Sequence, residues 1–319
     1  MEALWIKLQA TGMIPKARSS HSLTVVGKKA FMFGGEHEPR KPIDNKLHAY
    51  DLEKNEWSEV HTHGAAPCPR IACATAAVQG CVLVFGGRTG ITMGEGALND
   101  LHSFDLESST WSQLNTKCPP APRSFHTTTS VGTKFFVFGG CSDKGRLNDL
   151  HCYDTKLGEW EEMPCSEAIL GRGGSCITAL GGAIYVTAGF SGKEMNDMHR
   201  FDIATRTWSQ LSMARPIPPR SVFGCVPVGE HHLIAFGGEV DPSDQGHEGA
   251  GEFSNETFVF NTQNPTEGWT KVSVKGQVPP PRGWFAAAGL PNGMLVFGGN
   301  SPSNARLADL YRLEIEGLA

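Results

Sequence analysis

Lys134-Phe135-Phe136-Val137-Phe138-Gly139-Gly140 is a short, almost wholly apolar run that ends in two glycines, and what surrounds it decides the fold. A run of this length and composition reads as a strand covered on both faces. Upstream, residues 124–131 read as a first strand, and Gly132 with Thr133 turns the chain. Downstream, a variable loop over 141–146 leads to a third strand at 147–154, and after a turn at 155–158 a fourth covers 159–163 around Trp160. The glycine pair is expected where backbones approach closely or φ turns positive.

The same order recurs along the chain. Glycine pairs stand at Gly34-Gly35, Gly86-Gly87, Gly139-Gly140, Gly237-Gly238 and Gly298-Gly299, with Ala188-Gly189 as a degenerate fourth in sequence. An aromatic residue followed by an acid or amide, and then a tryptophan, comes after each of the first five signals, at Trp57, Trp111, Trp160, Trp208 and Trp269. The sixth signal has no tryptophan after it, but Leu4-Trp5-Ile6-Lys7-Leu8 supplies one from the other end. A repeat that begins with its last strand and ends without it describes a closed ring. Four short antiparallel strands at a period near 50 make one blade of a propeller. The expected fold is therefore all-β: a single six-bladed propeller over residues 1–319 with four-stranded antiparallel blades. The blades cover about 16–60, 68–114, 121–163, 171–211, 218–272 and 280–315, the last completed by 4–8.

Composition narrows the function classes. Net charge is −5, which gives no reason to expect nucleic acid or an anionic membrane as partner. No apolar run approaches the ~18 residues of a membrane span, and Met1-Glu2-Ala3 leads directly into a strand without a leader pattern. Nine cysteines, odd in number and scattered, suit a reduced cytosolic or nuclear protein, with Cys81, Cys176 and Cys225 as small core residues. There is no Gly-x-Ser-x-Gly elbow, phosphate-binding loop, dinucleotide fingerprint or His-Glu-x-x-His.

Gly-Gly, then aromatic-Asp, then Trp at this spacing resembles the kelch motif, across the whole chain. A narrower resemblance rests on Trp5-Ile6-Lys7, Arg18-Ser19-Ser20-His21, Phe33-Gly34-Gly35-Glu36, Gly86-Gly87-Arg88, Arg172-Gly173-Gly174, Gly237-Gly238-Glu239, Gly246-His247 and Arg282-Gly283-Trp284. These stretches are similar to the plant kelch specifier proteins, which divert glucosinolate breakdown toward nitriles, epithionitriles or thiocyanates with ferrous iron. Asp241-Pro242-Ser243-Asp244 looks closer to related kelch proteins without established specifier activity.

The distance from Trp208 to Trp269 is 61 residues against 48–54 elsewhere, so blade five carries an insertion, at 239–255 after its glycine pair. Enlarged loops on regular scaffolds commonly carry function. Four carboxylates and an imidazole within 239–248 are a donor set for a divalent cation, and two carboxylates with a histidine suit Fe(II). The resemblance implies Glu-x-x-x-Asp-x-x-x-His here; Glu239 and His247 match, Ser243 takes the middle place, and Asp244 sits one residue late. The opposing reading is a solvated acidic loop with turn-capping Asp241 and Ser243.

Arg18, Arg70, Arg123, Arg172, Arg220 and Arg282 each precede the first strand of a blade. They either ring one mouth as an anion site or tie neighbouring blades together, which sixfold repetition favours. Arg172, through the specifier-like Arg-Gly-Gly, and Arg88, after a glycine pair, are the candidates for anion binding; Phe125 and Trp284, two residues after a blade-opening arginine, are candidates to wall the pocket. His48, His102, His151 and His199 share one repeat position and read as scaffold. Two functions are expected. One is a binding module presenting the loops after Gly35, Gly87 and Gly238 to a protein partner or small anionic ligand, with no cofactor. The other, implied by the resemblance, is a specifier-like protein with Fe(II) on Glu239, Asp244 and His247, Arg88 and Arg172 on the substrate's sulfate, and Phe125 and Trp284 around its side chain.

Overall fold

A computed structural model describes residues 2–90, 96–246 and 249–318. Among them there is no α-helix, hence none long and apolar enough to cross a membrane. The strands form the six antiparallel blade sheets of a β-propeller, in the order the repeat predicts. Contacts divide the chain into two compact units: Ala10–Lys16 with Ser20–Gly173, holding blades one to three, and Met1–Gln9, Ala17–Ser19 and Gly174–Ala319, holding blades four to six.

Blade three shows why the motif has its spacing. Its strands are Thr127–Val131, Lys134–Ser142, Gly145–Asp154 and Glu159–Glu162. Tyr153 stands opposite Trp160 in the ladder, their rings 5.3 Å apart, and Asp154 accepts the Lys156 N–H to close the turn between them. The same aromatic–tryptophan pair recurs as Tyr50–Trp57, Phe104–Trp111, Phe201–Trp208 and Phe260–Trp269. In blade six Leu313 faces Trp5 instead.

The glycine pair ends the second strand in blades one, two and five, at Phe33, Phe85 and Phe236, but not in blades three, four and six. In blade three both flanking strands run through it with a bulge between Phe138 and Gly140 and meet in a hairpin at Ser142 and Gly145, leaving almost nothing of the loop expected at 141–146. The reason is space. A Cβ on Gly140 would lie 2.7 Å from the Ser124 carbonyl oxygen, and φ is +97° there. The first strand also begins later than expected, at Thr127, because Phe125 is left-handed (φ 56°) and breaks the pleat.

The N-terminal strand closes blade six. Glu2–Leu8 pairs antiparallel with Arg306–Glu316 over seven residues, Trp5 is fully buried, and its indole N–H donates to Thr257 Oγ1 at 3.2 Å. A feature the sequence did not announce covers the outer edges of several blades. Short linker segments pair in parallel with the outermost strand: Thr11–Gly12 in blade one, His63–Gly64 in blade two and Val274–Gly276 in blade six. Covering exposed edge N–H and C=O groups removes a template for aggregation. All nine cysteines are free thiols; Cys73, Cys141 and Cys152 are buried, whereas Cys81, Cys176 and Cys225 are only partly covered.

Candidate ligand-binding site

The six blade-opening arginines are 0–1% exposed. Arg123 shows what holds them. Its Nη1 donates to the Gly139 carbonyl at 3.1 Å, and Nη1 and Nη2 grip Asp149 at 2.7 and 2.8 Å, while His151 Nε2 meets the same carboxylate at 2.8 Å. Arg70 repeats this with Gly86, Asp100 and His102, and Arg282 with Gly298 and Asp309. Burial alone would raise the Asp149 carboxyl, but the bonds from Arg123 and His151 outweigh it and hold it well below the usual carboxylate range. The guanidinium groups of Arg70, Arg123, Arg220 and Arg282 therefore serve their own blades. The link to the preceding blade is made by the arginine backbone carbonyl, which accepts the N–H of the second glycine: Gly35 to Arg70, Gly87 to Arg123, Gly140 to Arg172, Gly189 to Arg220, Gly238 to Arg282 and Gly299 to Arg18. Arg172 is as buried as the rest, with Nε donating to the Leu170 carbonyl at 3.0 Å.

Two repeat positions around this scaffold do carry individual chemistry. The first is the second residue after each arginine. Ser20, Ala72, Phe125, Gly174, Val222 and Trp284 all have positive φ, between 46° and 61°. For non-glycine residues that conformation costs on the order of 1–3 kcal/mol, and for β-branched Val222 and bulky Phe125 and Trp284 it is a genuine outlier. Backbone bonds impose it: Ala72 N–H to Ser20, Phe125 to Ala72, Val222 to Gly174 and Trp284 to Val222. Proline and glycine signals mark turns in sequence; a left-handed Phe or Trp gives none.

The second position is the residue after the glycine pair. Here the repeat loses its identity: Glu36, Arg88, Cys141, Phe190, Glu239 and Asn300. In the first unit Arg88 is buried in the backbone between Ile71 and Ala97, and its guanidinium lies over the Phe125 ring, 5.3 Å from the centroid. Burial presses the Arg88 guanidinium below its usual range, Glu36 pulls it back, and Arg40 pushes it down again. Glu36 accepts the Ser20 hydroxyl at 3.0 Å and the Arg40 N–H. Gly173 lies against the same place, where a Cβ would come 3.0 Å from Cys141 Sγ and 3.5 Å from Phe125 Cβ. The structure thus brings together Arg88 and Phe125. Trp284 belongs to the other unit.

In that other unit Glu239 opens a small separate sheet, Glu239–Asp241 with Glu252–Phe253, at the base of the blade-five insertion. Burial raises its carboxyl to about 7 against the pull of hydrogen bonds from the Ser243 and Gly251 N–H groups. A Cβ on Gly251 would fall 2.3 Å from Glu239 Oε1, so this glycine is needed for the carboxylate to sit there. Glu239 therefore staples the loop. The loop borders a shallow, open polar depression of about 420 Å³ lined by Asp241, Ser243, Asp244 and Glu252 among others. Asp244 is exposed on it, and His247 lies outside the described residues. Among the described residues no three His, Cys, Asp or Glu side chains converge to hold a metal. Among the described residues, then, Glu239 accepts backbone donors and Asp244 faces solvent.

Sequence reasoning missed Glu194, at the start of strand Glu194–Asp202. It is buried, accepts the Ser221 hydroxyl at 3.2 Å, and burial lifts its carboxyl to about 8, with Glu239 and Asp241 adding to the rise. A signal existed: Arg146 and Arg306 hold the equivalent place before the third-strand Asp of blades three and six, and blade four reverses the charge.

The KLHDC2/KLHL20/DRC7 Kelch-repeats domain model matches residues 20–238. N-(sulfonatooxy)prop-2-enimidothioate sulfolyase of Thlaspi arvense is 30% identical, covering 98% of this chain and 97% of its own length. Kelch domain-containing protein 3 of Bos taurus is 27% identical over 73% of this chain; the match spans 64% of that relative's length. Among solved structures, "Structure of YjhT" superposes with a TM-score of 0.78 over 98% of each chain at 17% identity, a likeness of fold. Repeats, blade geometry and these matches agree: the chain belongs to the kelch-repeat family.

Proposed function

We propose that this protein binds a small organic anion, with Arg88 as the charged contact and Phe125 as the apolar wall. The observation that carries this reading is the Arg88 guanidinium buried against a Phe125 held in left-handed strain. Arg220 and Arg282 also lie over a ring, Phe258 and Tyr311, but neither ring is a left-handed residue, and Arg70, Arg123 and Arg282 spend both terminal nitrogens on an Asp of their own blade. A planar fork in a low-dielectric setting suits a sulfate ester or carboxylate. The test is calorimetry with a sulfate ester such as 4-nitrophenyl sulfate. Arg88→Lys, which keeps charge but loses the fork, and Phe125→Ala are each expected to weaken binding about tenfold or more, a difference of ~1.4 kcal/mol. Equal affinity in both variants would sink the reading and turn attention to a protein partner at the loops after Gly35, Gly87 and Gly238.

A second reading rests on the Thlaspi arvense relative, whose whole length is matched and whose name specifies a sulfated thioimidate and a sulfolyase. Under it, the anion is a glucosinolate aglucone and the chain diverts its breakdown. Releasing the aglucone in situ and measuring nitrile against isothiocyanate, with and without added Fe(II), tests it. An unchanged product ratio under both conditions would leave binding alone.

A further inference from the structure

Glu194 is 9% exposed, and its two carboxylate oxygens have different surroundings. Oε1 accepts the Ser221 hydroxyl at 3.2 Å, whereas Oε2 is buried without a hydrogen-bond partner among the described residues. A buried polar atom without a partner is uncommon and asks for an explanation. The neighbourhood supplies one. Ser221 exchanges backbone hydrogen bonds with Glu239, 2.9 Å each way, and strand Glu239–Asp241 packs against strand Glu194–Asp202. Burial, and then the charges of Glu239 and Asp241, oppose ionisation of Glu194 and lift its carboxyl to about 8. Among the described residues Arg220 acts on the group as a cation, but its Nη1 is already spent on the Gly237 carbonyl and its Nη2 faces Glu256. Among the described residues, Glu239 and Asp241 thus set a negative field around an oxygen that has an open acceptor site once Glu194 is ionised.

We propose that Glu194 Oε2 receives the cationic N–H group of a ligand, an alkylammonium or a guanidinium, at a site separate from Arg88 and opposite to it in sign. Chemistry selects this occupant over a metal ion. Ca2+ takes six to eight oxygens and Mg2+ six, and no three donor side chains converge among the described residues. A hydrogen-bonding cation needs only one strong acceptor and a negative field. An anion is disfavoured by Glu239 and Asp241.

The full chain is titrated at pH 9, where Glu194 is ionised, and at constant ionic strength, with n-butylammonium, methylguanidinium, tetramethylammonium and Mg2+ chlorides, followed by calorimetry and by shifts of backbone NMR signals at residues 194, 221 and 239. Saturable binding of butylammonium or methylguanidinium is expected, and the better of the two names the ligand's cation. Tetramethylammonium, which carries charge but no N–H, is expected not to saturate. Glu194→Gln, of the same shape, is expected to lose at least tenfold in affinity with its fold intact. Asp241→Asn on the exposed edge should lose two- to fivefold, and Glu53→Gln in the other unit nothing. Equal binding of tetramethylammonium, Mg2+ binding that depends on Glu194, or unchanged affinity in Glu194→Gln would each overturn the proposal.

Discussion

Blades three and five are built from the same repeat and differ in how the arginine is held. In blade three Arg123 makes a two-pronged grip on Asp149, which His151 secures from the other side. In blade five the grip is relaxed. Glu256 replaces the Asp and stands 3.7 Å from Arg220, while Lys271 draws it away at 2.6 Å. Phe258 takes the histidine's place, under the guanidinium at 4.8 Å. Burial lowers Arg220 to about 10, with Glu256 and Glu194 only partly compensating. Blade three also runs its strands through the glycines into a tight hairpin, and blade five opens there into the insertion. The comparison teaches that the repeat's internal clamp is loosest in the blade that carries the insertion and the buried carboxyl of Glu239.

The largest effect expected is on the clamp itself. Asp149→Ala leaves Arg123 buried without its carboxylate and should cost about 3–5 kcal/mol in urea unfolding. Glu256→Ala should cost about 1 kcal/mol or less, since that pair is longer and half-exposed. Equal losses would erase the distinction between the blades.

Next comes pH. The Glu194 carboxyl sits at about 8 when folded against 4.5 as its ordinary value, so between those pH values the folded chain keeps a proton that the unfolded chain has released. Stability therefore falls as pH rises through this window. Glu194→Gln escapes that loss. It should match the parent near pH 4.5 and exceed it by on the order of 2 kcal/mol at pH 8. Parallel melting curves at both pH values would show that this acid is not strained.

Smaller still is the staple of the insertion. Gly251→Ala drives a methyl into Glu239 and the Asp241 carbonyl, so amide exchange across 239–252 should quicken about tenfold, ~1.4 kcal/mol of local opening, with little change in global melting. Exchange in the blade-three hairpin at 142–145 should not move. The smallest effect is a gain. Rebuilding the blade-three clamp in blade five, with Glu256→Asp and Phe258→His together, should stabilise by about 1 kcal/mol. A loss would mean that Phe258 under Arg220 is the better arrangement there.

Much of the fold was legible because it repeats: an apolar run, a glycine pair and a tryptophan recur, and Trp5 announced its own place in the last blade. The clamp was half-legible. Six arginines and four histidines at fixed places spoke for scaffold, but the Asp that joins them was seen only as part of a strand. Individual sites were harder, for a physical reason. Phe125 and Trp284 were noticed as aromatics, yet left-handed φ is imposed by neighbouring backbone and leaves no mark on residue type. Glu194 stayed hidden because one carboxylate at a strand start reads as solvated surface; only comparison with Arg146 and Arg306 shows the reversal. The metal reading rested on density of acids in one loop; there Glu239 accepts backbone donors, and His247 lies outside the described residues.

The N-terminal strand has a consequence for how the protein is made. Trp5 and Thr257 are 252 positions apart, and the strand that receives Glu2–Leu8 is the last one, Arg306–Glu316. A ribosome adding roughly 5–20 residues per second releases the first strand long before its partner exists. For roughly 15–60 s the alternating face of Ala3, Trp5 and their neighbours has no sheet to join. The strands of blades one to three can pair among themselves meanwhile, so synthesis itself orders assembly: these repeats mature first, while Glu2–Leu8 and Arg18, whose partners lie in blade six, wait for it.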